Sequence, residues 1–190
     1  MYKLYPLIIA TYVLTVLSVT GCALSPQTVA IVPQLESNGT AASTGKRLSI
    51  QVRDGRTNTI IGYRGGIYNT AAITTADDLT DSIAREVAQA FSGSGYMITE
   101  ADAADIRLVL DIETLDYKAQ QNKIIWDIEL FAAIRATVTS AGGEKTLQLQ
   151  DRYTKQFAKA PTAAENENLI NDVISKLLQR LVENNEFMAI

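Results

Sequence analysis

Three stretches in the second half of the chain alternate apolar and polar residues over a dozen positions or more. Residues 105–117 set Ile106, Leu108, Leu110 and Ile112 against Arg107, Asp111 and Glu113. Residues 123–139 set Ile124, Trp126, Ile128, Leu130, Ile134 and Val138 against Asp127, Glu129 and Arg135, and residues 145–159 form the third stretch. Side chains of a strand point alternately to its two faces, so a period of two predicts strands that bury one face and wet the other. The polar run 118–122 predicts the first turn, and Ala141-Gly142-Gly143-Glu144 a hairpin. A sheet buried on one face favours antiparallel pairing, and Trp126 reads as core.

Shorter signals precede this meander. Leu48-Ser49-Ile50-Gln51-Val52-Arg53 alternates like a half-buried strand, and Asp54-Gly55-Arg56-Thr57-Asn58 is a turn. Residues 59–63 predict a short strand, Gly65-Gly66 a bend before Ile67-Tyr68, and Tyr96-Met97-Ile98 another strand. Leu79, Ile83, Val87 and Phe91 recur every four residues, which gives a helix one apolar face; Thr75 with Asp78 is a capping signal, and Gly93 and Gly95 end it. A second helix opens on the capping box Thr162/Glu165 and carries the stripe Leu169, Ile170, Val173, Ile174, Leu177, Leu178, Leu181, Val182. Two apolar helix faces and one apolar sheet face cover each other. The expected fold is α+β: a two-layer sandwich of a mainly antiparallel sheet, with the long three-strand meander and shorter N-terminal strands, and both helices on one face. It forms a single domain over 47–190.

The start of the chain has a different pattern. Lys3 is followed by an apolar run over 4–19, of signal-peptide length and short for spanning a bilayer. The run ends in Val19-Thr20-Gly21-Cys22, which holds the only cysteine. Small residues before Cys22 let an extended backbone enter a peptidase, and a thiol at the new N-terminus can carry a thioether-linked diacylglycerol while its amine takes a third acyl chain. Each buried methylene contributes about 0.8 kcal/mol, and two or more chains anchor stably. The pattern resembles the bacterial lipobox, so cleavage is expected between Gly21 and Cys22, with 1–21 the signal peptide. Ala23 follows where an Asp commonly retains Gram-negative lipoproteins at the inner membrane, so the resemblance implies the outer membrane, periplasmic face. A plain secretory signal and an uncleaved anchor share the same hydropathy. Residues 22–46 then read as the lipidated N-terminus and a flexible tether, extended by Pro26 and Pro33, in which Val29-Ala30-Ile31-Val32 is one apolar patch able to lie along the domain as a short strand.

Charge and composition narrow the chemistry. Removing 1–21 takes away Lys3 but none of the 21 acidic residues, which moves the net charge from −4 to −5. A mildly acidic chain with scattered cations does not suit nucleic acid, and leaves membrane affinity to the acyl chains on Cys22. The chain contains no histidine, and Cys22 is its only thiol. That excludes Ser-His-Asp and Cys-His catalysis, His-ligated metal, disulfides and zinc-thiolate clusters. Carboxylates, Lys, Tyr and Ser-Lys pairs remain. No cofactor beyond the covalent lipid, no metal and no catalytic residue is expected; a hydrolase using two carboxylates is the enzymatic alternative.

With leader, tether and strand–helix–meander–helix order in view, the chain resembles the YajG family of Gram-negative lipoproteins over nearly its whole length. The local points are the lipobox at Cys22, Asp54-Gly55-Arg56-Thr57 after the first strand, and Gly95-Tyr96-Met97 after the first helix. The resemblance implies an outer-membrane lipoprotein without assigned activity and supplies no catalytic residues.

Two surfaces are candidates for binding. Asp111, Glu113, Asp127 and Glu129 project from the open sheet face beside Arg107, Arg135 and Arg152, and carboxylates two residues apart lie about 6.6 Å from each other. They suit a hard cation or a small envelope ligand such as a sugar or lipid; the plainer reading is a solvated face laced with cross-strand ion pairs. Val109 and Phe131 on that face hint at a partner or a covering segment. The second candidate is the corner Asp54, Arg56, Arg64, where Arg can grip a carboxylate or phosphate bidentately, against a turn Asp with a structural ion pair. Gly65-Gly66 lacks the phosphate-loop spacing, and Tyr63, Tyr68, Tyr117 and Tyr153 read as packing residues. The function expected is a lipid-anchored structural or interaction module with an envelope protein partner, the alternative being a module that binds a small envelope ligand or calcium.

Overall fold

The computed structural model of the protein describes residues 24–37, 45–65, 70–76 and 78–189. The leader, the Gly21-Cys22 site, Gly66, Ile67, Tyr68 and Asp77 lie outside the described residues. Eight strands among them form one sheet: β1 Gln27–Val29, β2 Arg47–Asp54, β3 Ile60–Tyr63, β4 Ala72–Thr75, β5 Met97–Ile98, β6 Ile106–Asn122, β7 Ile125–Ser140 and β8 Gly143–Phe157. Two long helices, α1 Leu79–Gly93 and α2 Ala163–Val182, and a short one, α3 Asn185–Met188, complete the α+β domain.

The meander forms as the alternation predicts. β6 pairs antiparallel with β7 from Ile106↔Ser140 to Asn122↔Ile125, and β7 with β8 from Trp126↔Phe157 to Ser140↔Gly143. The expected turn over 118–122 is instead strand. Its polar residues extend β6 to Asn122, and the loop shrinks to Lys123-Ile124, where Lys123 takes a positive φ of 59°. Two-residue hairpin loops demand that conformation. Ile124, expected on the core side, therefore sits at the tip, 80% exposed. The sheet is open and mostly antiparallel by length of pairing, yet the N-terminal strands enter it differently from expectation. β2 runs parallel to β6 over Leu48↔Ile106 to Asp54↔Ile112, β5 parallel to β2, and β1 parallel to β4. Alternation reports which face is buried and carries no information on strand direction.

A bulge changes the parity of β6. The register passes from Ile112↔Ile134 to Thr114↔Ala133, leaving Glu113 as the extra residue. Even positions 106–112 and then odd positions Leu115 and Tyr117 are buried as a result. Beyond the bulge β3 replaces β2 beside β6, with Gly62 opposite Tyr117. A Cβ on Gly62 would lie 1.9 Å from the Tyr117 carbonyl oxygen, so the close approach of these backbones requires glycine.

Both long helices bury their stripes in one core with Leu108, Leu110, Ile128, Leu130 and Ile134; α1 packs on β2, α2 on β7 and β8, and the helices touch each other. The capping box of α2 is realised: Glu165 N–H donates to Thr162 Oγ1 at 3.2 Å, and Thr162 N–H to Glu165 Oε2 at 2.7 Å. The expected Thr75/Asp78 cap of α1 does not form. Thr75 belongs to β4, its hydroxyl accepts from Arg56, and Asp78 makes no side-chain cap bond.

The stretch expected as a flexible tether is held to the domain over Gln27–Glu36. Val29 and Ile31 are fully buried, and the chain runs on as an extended strap along α2. Backbone N–H groups of Ala30, Val32, Gln34 and Glu36 donate to the side chains of Glu167, Asn171, Ser175 and Gln179. The match is geometric: two strand residues advance about 6.6 Å and four helix residues about 6 Å, so every second strap amide meets every fourth helix residue.

Candidate functional site: a polar groove at one end of the sheet

Where β3 flanks β6, the open sheet face bends into a groove of about 890 Å³. Its walls include Tyr63 from β3, Asp116, Lys118 and Gln120 from β6, Asp127 and Glu129 from β7, and Thr154, Lys155 and Gln156 from β8. Alternation places Asp116, Lys118, Gln120, Asp127, Glu129, Thr154 and Gln156 on the open face, with Lys155 in register with the core residue Ile128, while Tyr117, Ile128 and Leu130 between them are buried in the core. Two of the candidate carboxylates thus share one concave site. The other two do not join them. Asp111 lies before the bulge on β6, opposite Arg135 in register, and Glu113 is the bulge residue itself.

The carboxylates are largely engaged across strands. Arg135 donates to Glu113, which also accepts from Gln148 Nε2 at 2.5 Å. Arg152 donates to Glu129 and stacks its guanidinium 5.3 Å from the centre of the Phe131 ring. Gln156 Nε2 donates to Asp127 at 2.7 Å, and Lys118 pairs with Asp116 at 3.0 Å. Phe131 thereby gains a covering partner from within the sheet itself. Such exposed pairs contribute about 0.2–1 kcal/mol each. No group of three or more carboxylate or thiol ligands that could hold a metal occurs among the described residues.

The arginine corner also divides. Arg56 is almost wholly buried, donating Nε to Asp54 Oδ1 at 2.8 Å, one Nη to Asp54 Oδ2 at 2.7 Å, and that same Nη to Thr75 at 2.9 Å. The hydrogen bond from Arg56 holds the Asp54 carboxyl below its ordinary value. This fork–fork pair ties the β2 turn to the end of β4. Arg64 points elsewhere, donating to the carbonyls of Ser25 at 3.1 Å and Pro161 at 3.2 Å. Arg56 and Arg64 therefore do not converge on one ligand. Each staples two segments.

One buried polar constellation escaped the sequence reading. Tyr117 Oη donates to Asn166 Oδ1 at 2.7 Å, Asn166 Nδ2 donates to Gln27 Oε1 at 3.1 Å, and Gln27 Nε2 donates to the Ala163 carbonyl at 2.7 Å. Burial pushes the Tyr117 phenol well above its ordinary range, with Arg64 opposing. The signal was available, since Asn166 falls three and four places before Leu169 and Ile170 on the stripe of α2. The groove residues Lys118 and Gln120 were missed because 118–122 looked like a turn.

A protein from Xanthomonas campestris superposes with a TM-score of 0.56 at 13% identity, covering 82% of this chain and 92% of its own, which shows a shared fold. A minor lipoprotein from Acinetobacter baumannii gives a TM-score of 0.44 at 16% identity, covering 73% and 89%. A lipoprotein from Neisseria meningitidis gives 0.31 at 11% identity, covering 82% and 98%. No curated protein matches the chain. The family described as uncharacterized lipoprotein matches residues 33–190, which take in every strand after β1 and all three helices, and the chain belongs to that family.

Proposed function

We propose that this envelope lipoprotein is anchored in the outer membrane, facing the periplasm, through acyl chains on Cys22 after cleavage of residues 1–21, and that its domain serves as a structural or interaction module. The YajG-like lipobox, with Ala23 after the cysteine, supports the outer membrane. No helix among the described residues is long and apolar enough to cross a membrane. Taken as a two-layer sandwich, the domain turns its polar sheet face outward, available to a partner protein of the envelope.

The observation that carries a non-enzymatic role is the engagement of Glu113, Asp127 and Glu129 by Arg135, Gln156 and Arg152. Glu113 accepts on both oxygens and Asp127 and Glu129 on one each, so each carboxylate has a cross-strand partner as in an ordinary solvated sheet face. Labelled palmitate should enter the chain and be lost in Cys22→Ala, with equal labelling of both refuting the anchor. Mild cross-linking in membranes should trap complexes that depend on Cys22; a solitary monomer would refute the interaction role.

A second reading rests on the groove, whose mixed lining of Asp116, Lys118, Asp127 and Lys155 suits a small zwitterionic or sugar ligand. Thermal shift with calcium, peptidoglycan fragments and lipids tests it. No shift with any of them rejects this reading.

A further inference from the structure

The strap and the meander fix which end of the domain the N-terminal segment leaves from. Ser25 is held by Arg64, and the next residue of that strand end, Gly65, abuts the Trp126 ring and Ala119. Trp126 lies two residues from the β6–β7 hairpin tip. The strap runs from Ser25 along α2 in the same direction as the helix, so Ser25, the start of α2 and the tip of the hairpin share one end. The β7–β8 hairpin at Ala141-Gly142 lies at the other, about 50 Å away along the 16 residues of β7. Only Ala23 and Leu24 separate Cys22 from Ser25, three residue steps with a reach of at most about 11 Å.

That same end carries large apolar side chains out of the core. Ile124 is 80% exposed and Ile125 40%. Lys123 stands beside them in the loop, with Lys155 and Lys159 exposed nearby on the end of β8 and beyond it. An apolar tip flanked by long cationic side chains suits the boundary of acyl chains and headgroups, where isoleucine enters and lysine reaches the phosphates. An isolated exposed isoleucine needs no explanation on a soluble face. Here two adjacent ones cap the end from which the chain leaves toward its anchor.

We propose that the β6–β7 hairpin tip, Lys123 to Ile125, is a second membrane contact that inserts into the phospholipid surface beside the acylated N-terminus and holds the domain upright on it. The proposal rests on the anchoring of Cys22. The long axis of the meander then stands off the bilayer, presenting Ala141-Gly142 farthest into the periplasm, with the groove near the headgroups.

The test uses the processed, lipidated full chain in vesicles of phosphatidylethanolamine and phosphatidylglycerol, with a fluorophore on Ile124→Cys or on Ala141→Cys. Acylation leaves Cys22 without a free thiol, so each variant carries one label. A quencher attached to the upper acyl chains should reduce emission several-fold more at position 124 than at 141. Equal quenching at the two positions, in protein that floats with the vesicles, overturns the tip contact and leaves the anchor standing. Quenching at 124 that requires added envelope proteins assigns the tip to a protein partner and equally overturns it. A reactive Cys22 and a parent chain that does not float overturn the anchor, and the tip contact with it.

Discussion

Replacing Asn166 by alanine isolates the buried relay that joins β6, α2 and the N-terminal strap. Asn166 is fully buried and holds the Tyr117 hydroxyl at 2.7 Å and the Gln27 side chain at 3.1 Å. Asn166→Ala removes both bonds and strands a phenol that is itself almost fully buried. A net bond contributes about 1 kcal/mol and an unsatisfied buried donor costs about 1–3 kcal/mol, so the loss should total about 2–4 kcal/mol. For a domain of this size that lowers Tm by roughly 4–16 °C. Tyr117→Phe should cost less, about 1–2 kcal/mol, since it leaves only an acceptor unsatisfied. The decisive quantity is the coupling. With the phenol already gone, Asn166→Ala strands nothing on β6, so the double variant should be more stable than the summed losses by at least about 1 kcal/mol. Urea unfolding of the four proteins measures it, read at constant m. Additivity within about 0.5 kcal/mol would refute the relay and reduce Asn166 to a polar residue that happens to be buried.

Three further outcomes follow from the same geometry. Gly62→Ala places a methyl against the Tyr117 carbonyl at 1.9 Å and should destabilise by about 1–3 kcal/mol, whereas Gly143→Ala meets no atom within 4 Å and should cost only the strain of its positive φ; thermal unfolding of both distinguishes steric from conformational cost. The Asp105 carboxyl, held at about 2 against its usual 3.8 by the hydrogen bond from Arg47, contributes stability that is complete above about pH 4 and lost as pH falls through about 2; carbon-detected titration should find its midpoint near 2, and Arg47→Gln should return it toward 3.8. Asn171→Ala removes the acceptor of the Val32 amide at 2.7 Å and the donor to the Ala30 carbonyl at 3.0 Å, so amide exchange at Val32 should accelerate while that of Leu130 in the core stays unchanged; equal acceleration at both would show global loosening instead.

The arrangement of the candidate residues explains why an open sheet face rich in carboxylates need not be a reaction centre. Glu129 lies six residues along β7 from Arg135, the partner of Glu113, and each carboxylate meets its own cation. What the face offers instead is the groove beyond the bulge, where acidic and basic side chains alternate around a concave surface. A partner meeting it would find no single sign of charge, which favours orientation over long-range attraction.

The sequence by itself determined the elements whose signal is periodic and local. Alternation marked the meander and its buried face, the four-residue spacing marked both long helices, and Thr162 with Glu165 marked the start of α2, because each of these depends on residues within a few places of one another. The lipobox at Cys22 is likewise a local pattern. Tertiary structure alone decided the rest. Parallel pairing of β2 with β6 leaves no mark on either strand's alternation, and the bulge at Glu113 shows only in the switch from Ile112 to Leu115 as the buried residue. The strap looked like a tether because its amides are satisfied by side chains some 140 positions later, on a helix that no local pattern places beside it. Ile124 looked like core because its neighbours' parity was right, and only the two-residue loop, closed by the matched lengths of β6 and β7, carries it out to the tip.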